Sequence, residues 1–193
     1  DLEYLGDGRL VISGDQTATV NDSVTRLSVD GSVDATFSAK IGRNERIRKI
    51  VQAPDGKIYI AGEFRTVLGV TRVSLARLNS DGSLDTTFAP YFNNAGFLRI
   101  ESLVLQNDGK IVVGFYGGLG MKRLNTDGSQ DTTFTFPLSP TASIIYDIAI
   151  TPTGGFMIVG FLGQNQYIVR LNANGSFDNT ITLTQPNGAV TAG

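Results

Sequence analysis

Three residue types are absent from the 193-residue chain: cysteine, histidine and tryptophan. Without cysteine there is no disulfide framework, no thiolate nucleophile and no zinc–thiolate site, and redox chemistry does not report the compartment. Without histidine the commonest general base and the commonest transition-metal ligand are gone. Without tryptophan the strongest stacking platform is lacking. Neither sign of charge dominates: 16 basic residues face 18 acidic ones, so bulk charge gives no reason to expect nucleic acid as a partner. No run of 18 apolar residues occurs, so membrane insertion by a helix is not expected. The chain opens on Asp1 with neither Met nor a signal-like segment, as a processed protein or a piece of a longer one would.

What is abundant is glycine, 23 residues, in a chain that is 41% hydrophobic and 18% charged. That describes a globular, turn-rich chain. Its length suits one domain over 1–193, able to bury about 70% of its unfolded surface.

One stretch is written four times: Arg26 to Phe37 (RLSVDGSVDATF), Arg77 to Phe88 (RLNSDGSLDTTF), Arg123 to Phe134 (RLNTDGSQDTTF) and Arg170 to Ile181 (RLNANGSFDNTI). Asp-Gly or Asn-Gly between alternating residues is a strong hairpin signal. A second stretch precedes each copy: Leu5 to Gly14, Ala53 to Gly62, Gln106 to Gly114 and Thr151 to Gly160. Successive downstream turns lie 46 to 51 residues apart. A period of that size, with several strands per repeat, signals propeller blades.

The turn chemistry predicts register. Pro54 suits the second position of a type I turn, and Gly56 then takes the left-handed conformation as a G1 bulge, with Ala53 opposite Lys57. The same scheme sets Asn79 opposite Ser83, Leu78 opposite Leu84 and Arg77 opposite Asp85. Arg26–Asp34, Arg123–Asp131 and Arg170–Asp178 repeat the last pair. Four strands per repeat follow; in the second they are 47–53, 57–64, 73–79 and 83–88. The second strand of each repeat is apolar on both faces, which requires cover from both sides. The expected fold is therefore all-β, a propeller-like array of about four four-stranded blades, at roughly 1–37, 38–88, 89–134 and 135–181. Residues 182–193 would start another connector or a closing strand. A fragment of a larger ring, a four-bladed ring and a half-ring completed by a second copy all remain open.

The pattern RLNxDGSxDxTF, then a connector, then xPDGKIxIxGxF, resembles the bacterial delta-60 repeat β-propeller family across nearly the whole chain. Gln130, Asn174 and Thr153-Gly154 depart from it, and the fourth repeat is the loosest copy. The resemblance implies exported, often surface-associated bacterial proteins, sometimes phage structural proteins, and brings no catalytic motif.

The set Asn79-x-Asp81-Gly82-Ser83-x-Asp85 has the oxygen spacing of part of a calcium loop. An arginine two residues before it in every repeat argues for the plainer reading, a turn with a cross-strand Arg–Asp pair, and no metal or cofactor is expected. Binding candidates lie in the connectors. Arg43, Arg46 and Arg48 belong to a cationic run that could meet an anionic glycan, lipopolysaccharide or nucleic acid. Tyr91, Phe92, Asn93 and Asn94, and Gln164, Asn165 and Tyr167, combine aromatic faces with amides, as sugar-binding surfaces do. Solvated loops and turn-forming Asn are the plainer reading of each. Asn21-Asp22-Ser23 and Asn174-Gly175-Ser176 match the N-glycosylation pattern, the second inside a turn. Gly117-Gly118-x-Gly120 has no helix after it to hold a phosphate.

The function expected is a non-enzymatic interaction module, extracellular or at the cell surface, that binds a glycan or protein partner, or other copies of itself, through its loops. The alternative is a structural component of a bacterial fibre, adhesin or phage particle. A glycoside hydrolase with a carboxylate pair stands third, since the acids are mostly turn residues.

Overall fold

The structure, a computed structural model, describes residues 1–14, 23–42, 45–92, 98–117, 119–138, 143–162 and 165–178. Among them there is no helix. The strands in chain order are β1 (Leu2–Tyr4), β2 (Leu10–Gly14), β3 (Ser23–Leu27), β4 (Val33–Lys40), β5 (Arg46–Gln52), β6 (Ile58–Glu63), β7 (Thr66–Val67), β8 (Val70–Thr71), β9 (Leu75–Leu78), β10 (Ile100–Leu105), β11 (Ile111–Phe115), β12 (Met121–Leu124), β13 (Ser143–Ile150), β14 (Phe156–Leu162) and β15 (Asn165–Leu171). They form four sheets of consecutive strands, β1-β2-β3-β4, β5-β6-β9, β10-β11-β12 and β13-β14-β15, plus the small hairpin β7-β8. The chain divides into two compact units, residues 1–100 with 126–129, and the remaining described residues. The all-β repeat architecture expected from the sequence is present.

The hairpins form as the turn chemistry dictates. The Ala53 N–H donates to the Lys57 carbonyl at 2.8 Å and Gly56 has φ 82°. Asn79 donates to Ser83 at 2.8 Å, Leu78 bridges Leu84, and Asp85 donates to Arg77 at 2.9 Å. The fourth limb differs from expectation. Among the described residues only β4 of the first sheet is a full strand; elsewhere the limb is a single bridge, at Leu78–Leu84, Leu124–Gln130 and Leu171–Phe177. The cause is the Asp-x-Thr-Phe segment, which closes a turn of its own. The Phe88 N–H reaches the Asp85 carbonyl at 3.4 Å, and Phe134 reaches Asp131 at 3.3 Å. The β7-β8 hairpin was not expected. Leu68 (φ 51°) and Gly69 (φ 78°) form its two-residue loop, both left-handed, as a type I′ turn requires.

Each unit is two sheets packed face to face. In the first, Val11, Val24, Phe37 and Ala39 meet Ile50, Ile58, Ile60, Ala76 and Leu78 of the second sheet. In the second, Val112, Met121 and Phe134 meet Ile148, Phe156, Ile158, Val169 and Leu171. Strand β6 is buried along Ile58–Gly62, which is why it alternates so little. First strands are also tied edge to edge. Asp1 Oδ2 accepts the Ile50 N–H at 2.7 Å, and Glu3 Oε1 accepts that of Gln52 at 3.1 Å. At the position equivalent to Asp1, Ser102 Oγ accepts from Ile148 and donates to Asp147, both at 3.0 Å.

Candidate functional site

Antiparallel order gives every sheet two unlike ends. The first-to-second and third-to-fourth turns share one end, and the longer connections share the other. The repeated motifs therefore make up the hairpin end, and the segments that differ between repeats make up the loop end. Loops on a rigid scaffold are where binding residues concentrate.

At the hairpin end the repeated arginine has more partners than its sequence position announces. Arg77 Nε lies 2.8 Å from Asp85 Oδ2, as expected. One terminal nitrogen also donates to the Thr126 carbonyl at 2.7 Å and to the Tyr59 hydroxyl at 3.1 Å. The guanidinium carbon sits 4.8 Å from the centre of the Phe88 ring. Arg26 pairs with Asp34, lies over Phe37 and donates to the Ser80 carbonyl. Arg123 pairs with Asp131, lies over Phe134 and donates to the Ala173 carbonyl. Ser80, Thr126 and Ala173 occupy one position of the motif. Each arginine thus locks its own hairpin and the turn of the following repeat.

The aspartates complete this bracket. Burial pushes the Asp85 carboxyl up. Lys57 Nζ, the Thr87 hydroxyl and N–H and the Arg77 guanidinium outweigh it and hold the pKa well below the usual carboxylate range. Asp131 repeats this with Lys110, Thr133 and Arg123. Asp34 is lowered by the Thr36 hydroxyl and N–H and by Arg26. A lowered folded pKa stabilises above the unfolded value, about 3.9, and that stabilisation is lost as pH falls through the folded value. Thermal melts should therefore hold steady from neutral pH down to about pH 5 and fall steeply below about pH 4. A melting temperature unchanged through strongly acidic buffer would contradict the bracket.

The calcium-like spacing is spent inside the turn. Asp81 Oδ1 accepts from the Ser83 N–H at 2.9 Å and the Ser83 hydroxyl at 2.6 Å. Asp127 does the same with Ser129. Among the described residues no group of three or more His, Cys, Asp or Glu side chains is placed to hold a metal ion.

Among the described residues, the loop end of the first unit is cationic. Arg48 pairs with Glu63, and Arg99 Nε lies 3.3 Å from the same Glu63 Oε1. Arg46 stands opposite Glu63 in the β5–β6 register and is exposed. Glu45 is turned onto backbone, accepting from Gly42 at 2.8 Å and Thr66 at 3.4 Å. Over segments 40–42, 45–48, 63–74 and 98–99 the cations are Lys40, Arg46, Arg48, Arg65, Arg72 and Arg99, against only Glu45 and Glu63. The hairpin end of the same unit has the opposite sign. Asp7, Asp30, Asp34, Asp55, Asp81, Asp85 and Asp127 outnumber Arg9, Arg26, Lys57 and Arg77.

The sequence candidates do not converge on one site. Arg46 and Arg48 lie at the loop end, joined there by Arg99 and Glu63, which sequence reading missed. Tyr91 is half-exposed, but its N–H donates to the Gly128 carbonyl at 3.0 Å, against a hairpin-end turn. Phe92 is buried, edge-on to Tyr91 at 5.1 Å between ring centres. Tyr167 is a core residue and not a surface ligand. Its ring is buried with Val169 and Leu171, and burial pushes its phenol pKa up. Asn165 is the first residue of β15. Arg43, Asn93, Asn94 and Gln164 lie outside the described residues, as do Asn21-Asp22, Gly118 and residues 182–193.

A family model described as a domain of unknown function (DUF5122) β-propeller matches residues 5–37, 53–88, 106–134 and 162–180. The chain belongs to the DUF5122 β-propeller family. The matches take in the first three upstream motifs and the downstream motifs from Arg26, Arg77, Arg123 and Arg170, and leave out residues 151–160. No curated protein shows significant sequence similarity to it. Solved structures share its fold at low identity. A Bacteroides caccae protein of unknown function gives a TM-score of 0.56 at 14% identity, over 94% of this chain and 63% of that one. A luciferin-regenerating enzyme gives 0.52 at 16%, over 92% and 56%. PorZ, a surface component of the type-IX secretion system of Porphyromonas gingivalis, gives 0.53 at 10%, over 91% and 26%. The chain thus spans less than two thirds of each of these structures.

Proposed function

We propose that this member of the DUF5122 family, of the delta-60 repeat kind, is a non-enzymatic interaction module displayed outside the bacterial cell. Its loop end captures an anionic glycan. The observation that carries the reading is the charge division of the first unit. The hairpin end is acidic and its side chains are committed to brackets and turns. Among the described residues of segments 40–42, 45–48, 63–74 and 98–99, the loop end holds six cations, of which Arg72 is buried, against two carboxylates. Clustered guanidinium groups suit carboxylate, sulfate or phosphate substituents, which they bind bidentately. The likeness to a secretion-system surface component supports placement outside the cell. Commitment of the acids to turns, and the lack of histidine and cysteine, favour capture over turnover.

The test is binding of the chain to a panel of sulfated, uronic-acid and neutral polysaccharides across a salt series. Anionic members should bind, with affinity falling as salt rises. Arg46→Glu should weaken binding about tenfold, equivalent to about 1.4 kcal/mol. Asp81→Asn, at the opposite end, should leave it unchanged. Equal binding of neutral glycans would refute the reading, as would an Arg46→Glu variant that binds normally. Turnover of a glycoside or lactone would replace it with an enzymatic one.

A further inference from the structure

The repeats carry an internal template for what covers a blade, and two faces of this chain match that template with side chains left exposed among the described residues. In the template the second sheet presents Ile50, Ile58, Ile60, Ala76 and Leu78, all buried against Val11, Val24 and Phe37 of the first. The fourth sheet presents the equivalent Ile148, Phe156, Ile158, Val169 and Leu171, buried against Val112, Met121 and Phe134 of the third. In both cases the preceding repeat's arginine reaches over to a turn carbonyl, Arg26 to Ser80 and Arg123 to Ala173. The turn glycine of the following repeat, Gly82 or Gly175, lies against the phenylalanine of the preceding one.

The first sheet has the receiving face of this pair in its own sequence. Leu2, Leu10, Ile12, Leu27 and Val33 are opposite one another in the β1–β2–β3–β4 register and so share a face. Yet Leu2 is 60% exposed, Val33 61% and the turn residue Val29 75%. Gly31, equivalent to Gly82, has open space where its counterpart meets a ring. The fourth sheet has the covering face. Met157, Ile168 and Arg170 stand where Val11, Val24 and Arg26 stand in the first. Ile168 and its neighbour Val159 are exposed, whereas Val11 and Val24 are fully buried. The Arg170 side chain is 23% exposed against 6% for Arg26, although its pair with Asp178 is made.

We propose that these two faces meet between copies: the fourth sheet of one molecule docks on the first sheet of a second, reproducing the interface between the first and second sheets. Arg170 donates to the carbonyl of Val29 in the second copy, the position filled by Ser80, Thr126 and Ala173 in the brackets already formed. Met157, Val159 and Ile168 cover Leu10, Ile12 and Leu27. The occupant follows from the template, because the motif specifies both halves of the junction and the described residues of each half are exposed or half-buried where the template buries them. Head-to-tail contacts of this type close into a ring or grow into a chain. The proposal does not depend on the glycan reading.

The test is solution mass by light scattering on the wild-type chain and two single-face variants, Val33→Asp and Ile168→Asp. Both positions are exposed, so neither substitution enters a core. Wild type should show masses of at least twice 20.6 kDa, rising with concentration. Each variant alone should be a monomer with an unchanged circular-dichroism spectrum. Mixing the two should restore a dimer, because each keeps the face the other has lost. A wild-type monomer at all concentrations would overturn the proposal. So would variants that still associate alone, or a mixture that stays monomeric, which would point to like faces pairing.

Discussion

Replacing Asp85 by alanine is expected to lower stability by about 3–5 kcal/mol, the cost of stripping one partner from a buried ion pair. The carboxylate is 95% covered and serves four donors: Lys57, Arg77 and the hydroxyl and N–H of Thr87. The variant leaves a guanidinium held over Phe88 with no counter-charge. Arg77 also carries the contact to Thr126, so the loss spreads to the following turn. For a chain of this length the melting temperature should fall by roughly 6–20 °C. Asp85→Asn should lie between, since the amide keeps an oxygen for Thr87 but surrenders the charge. Asp81→Ala, two donors and fully exposed in the same turn, should shift the melt far less. Glycan affinity measured below the new melting point should be unchanged in all three. An Asp85→Ala protein that melts like wild type would mean the pair is ornamental, as most surface ion pairs are.

That bracket marks where the sequence stopped being legible. Spacing and turn chemistry sufficed for each hairpin, because a turn is settled by residues within about eight positions of one another. Pro54, Gly56 and the Arg77–Asp85 offset fall in register for that reason. The second hand of Arg77 was invisible: its acceptor lies 49 residues on, and it is a backbone carbonyl, which no residue type advertises. The Asp-x-Thr-Phe segment reads as strand by composition, yet its aspartate captures the backbone two residues later and turns it. The β7-β8 hairpin did leave a signal in Thr66-Val67-Leu68-Gly69-Val70-Thr71. It was masked because leucine, and not asparagine or aspartate, holds the first left-handed position.

Candidate binding residues were harder still, since an aromatic in a connector and an aromatic in a strand look alike in one sequence. Tyr167 belongs to the alternation Tyr167-Val169-Leu171, which faces inward, while Gln166 and Ile168 are exposed. That two-residue period was available and outweighs the tyrosine–amide pairing. Arg46 is exposed and Arg48 is half-buried beside Glu63. What the run alone lacked was Glu63, which the β5–β6 register brings back beside it, and Arg99, which a separate connector supplies.

The same distinction between a turn and its neighbour can be measured with glycine. Gly56→Ala and Gly128→Ala place the same methyl group on similar left-handed backbones, φ 82° and 94°. At Gly56 the nearest atom to a Cβ is Ser80 Cβ at 3.9 Å, ordinary contact. The cost there should be that of the left-handed conformation alone, about 1–2 kcal/mol. At Gly128 the methyl would run into the Ala89 carbonyl group and the Pro90 nitrogen. That is backbone, which cannot step aside as a side-chain tip can, and it carries the hydrogen bond from the Ala89 N–H to Asp127 at 3.1 Å. Overpacking adds about 1–3 kcal/mol, so Gly128→Ala should cost about 2–5 kcal/mol in total. Urea melts of the two variants give the difference directly. If it is positive, the turn glycine of this repeat is required by the Ala89-Pro90 segment packed on it as well as by its own φ. If the two variants are equally destabilised, the packing of Ala89 and Pro90 on the Gly128 turn adds nothing to stability.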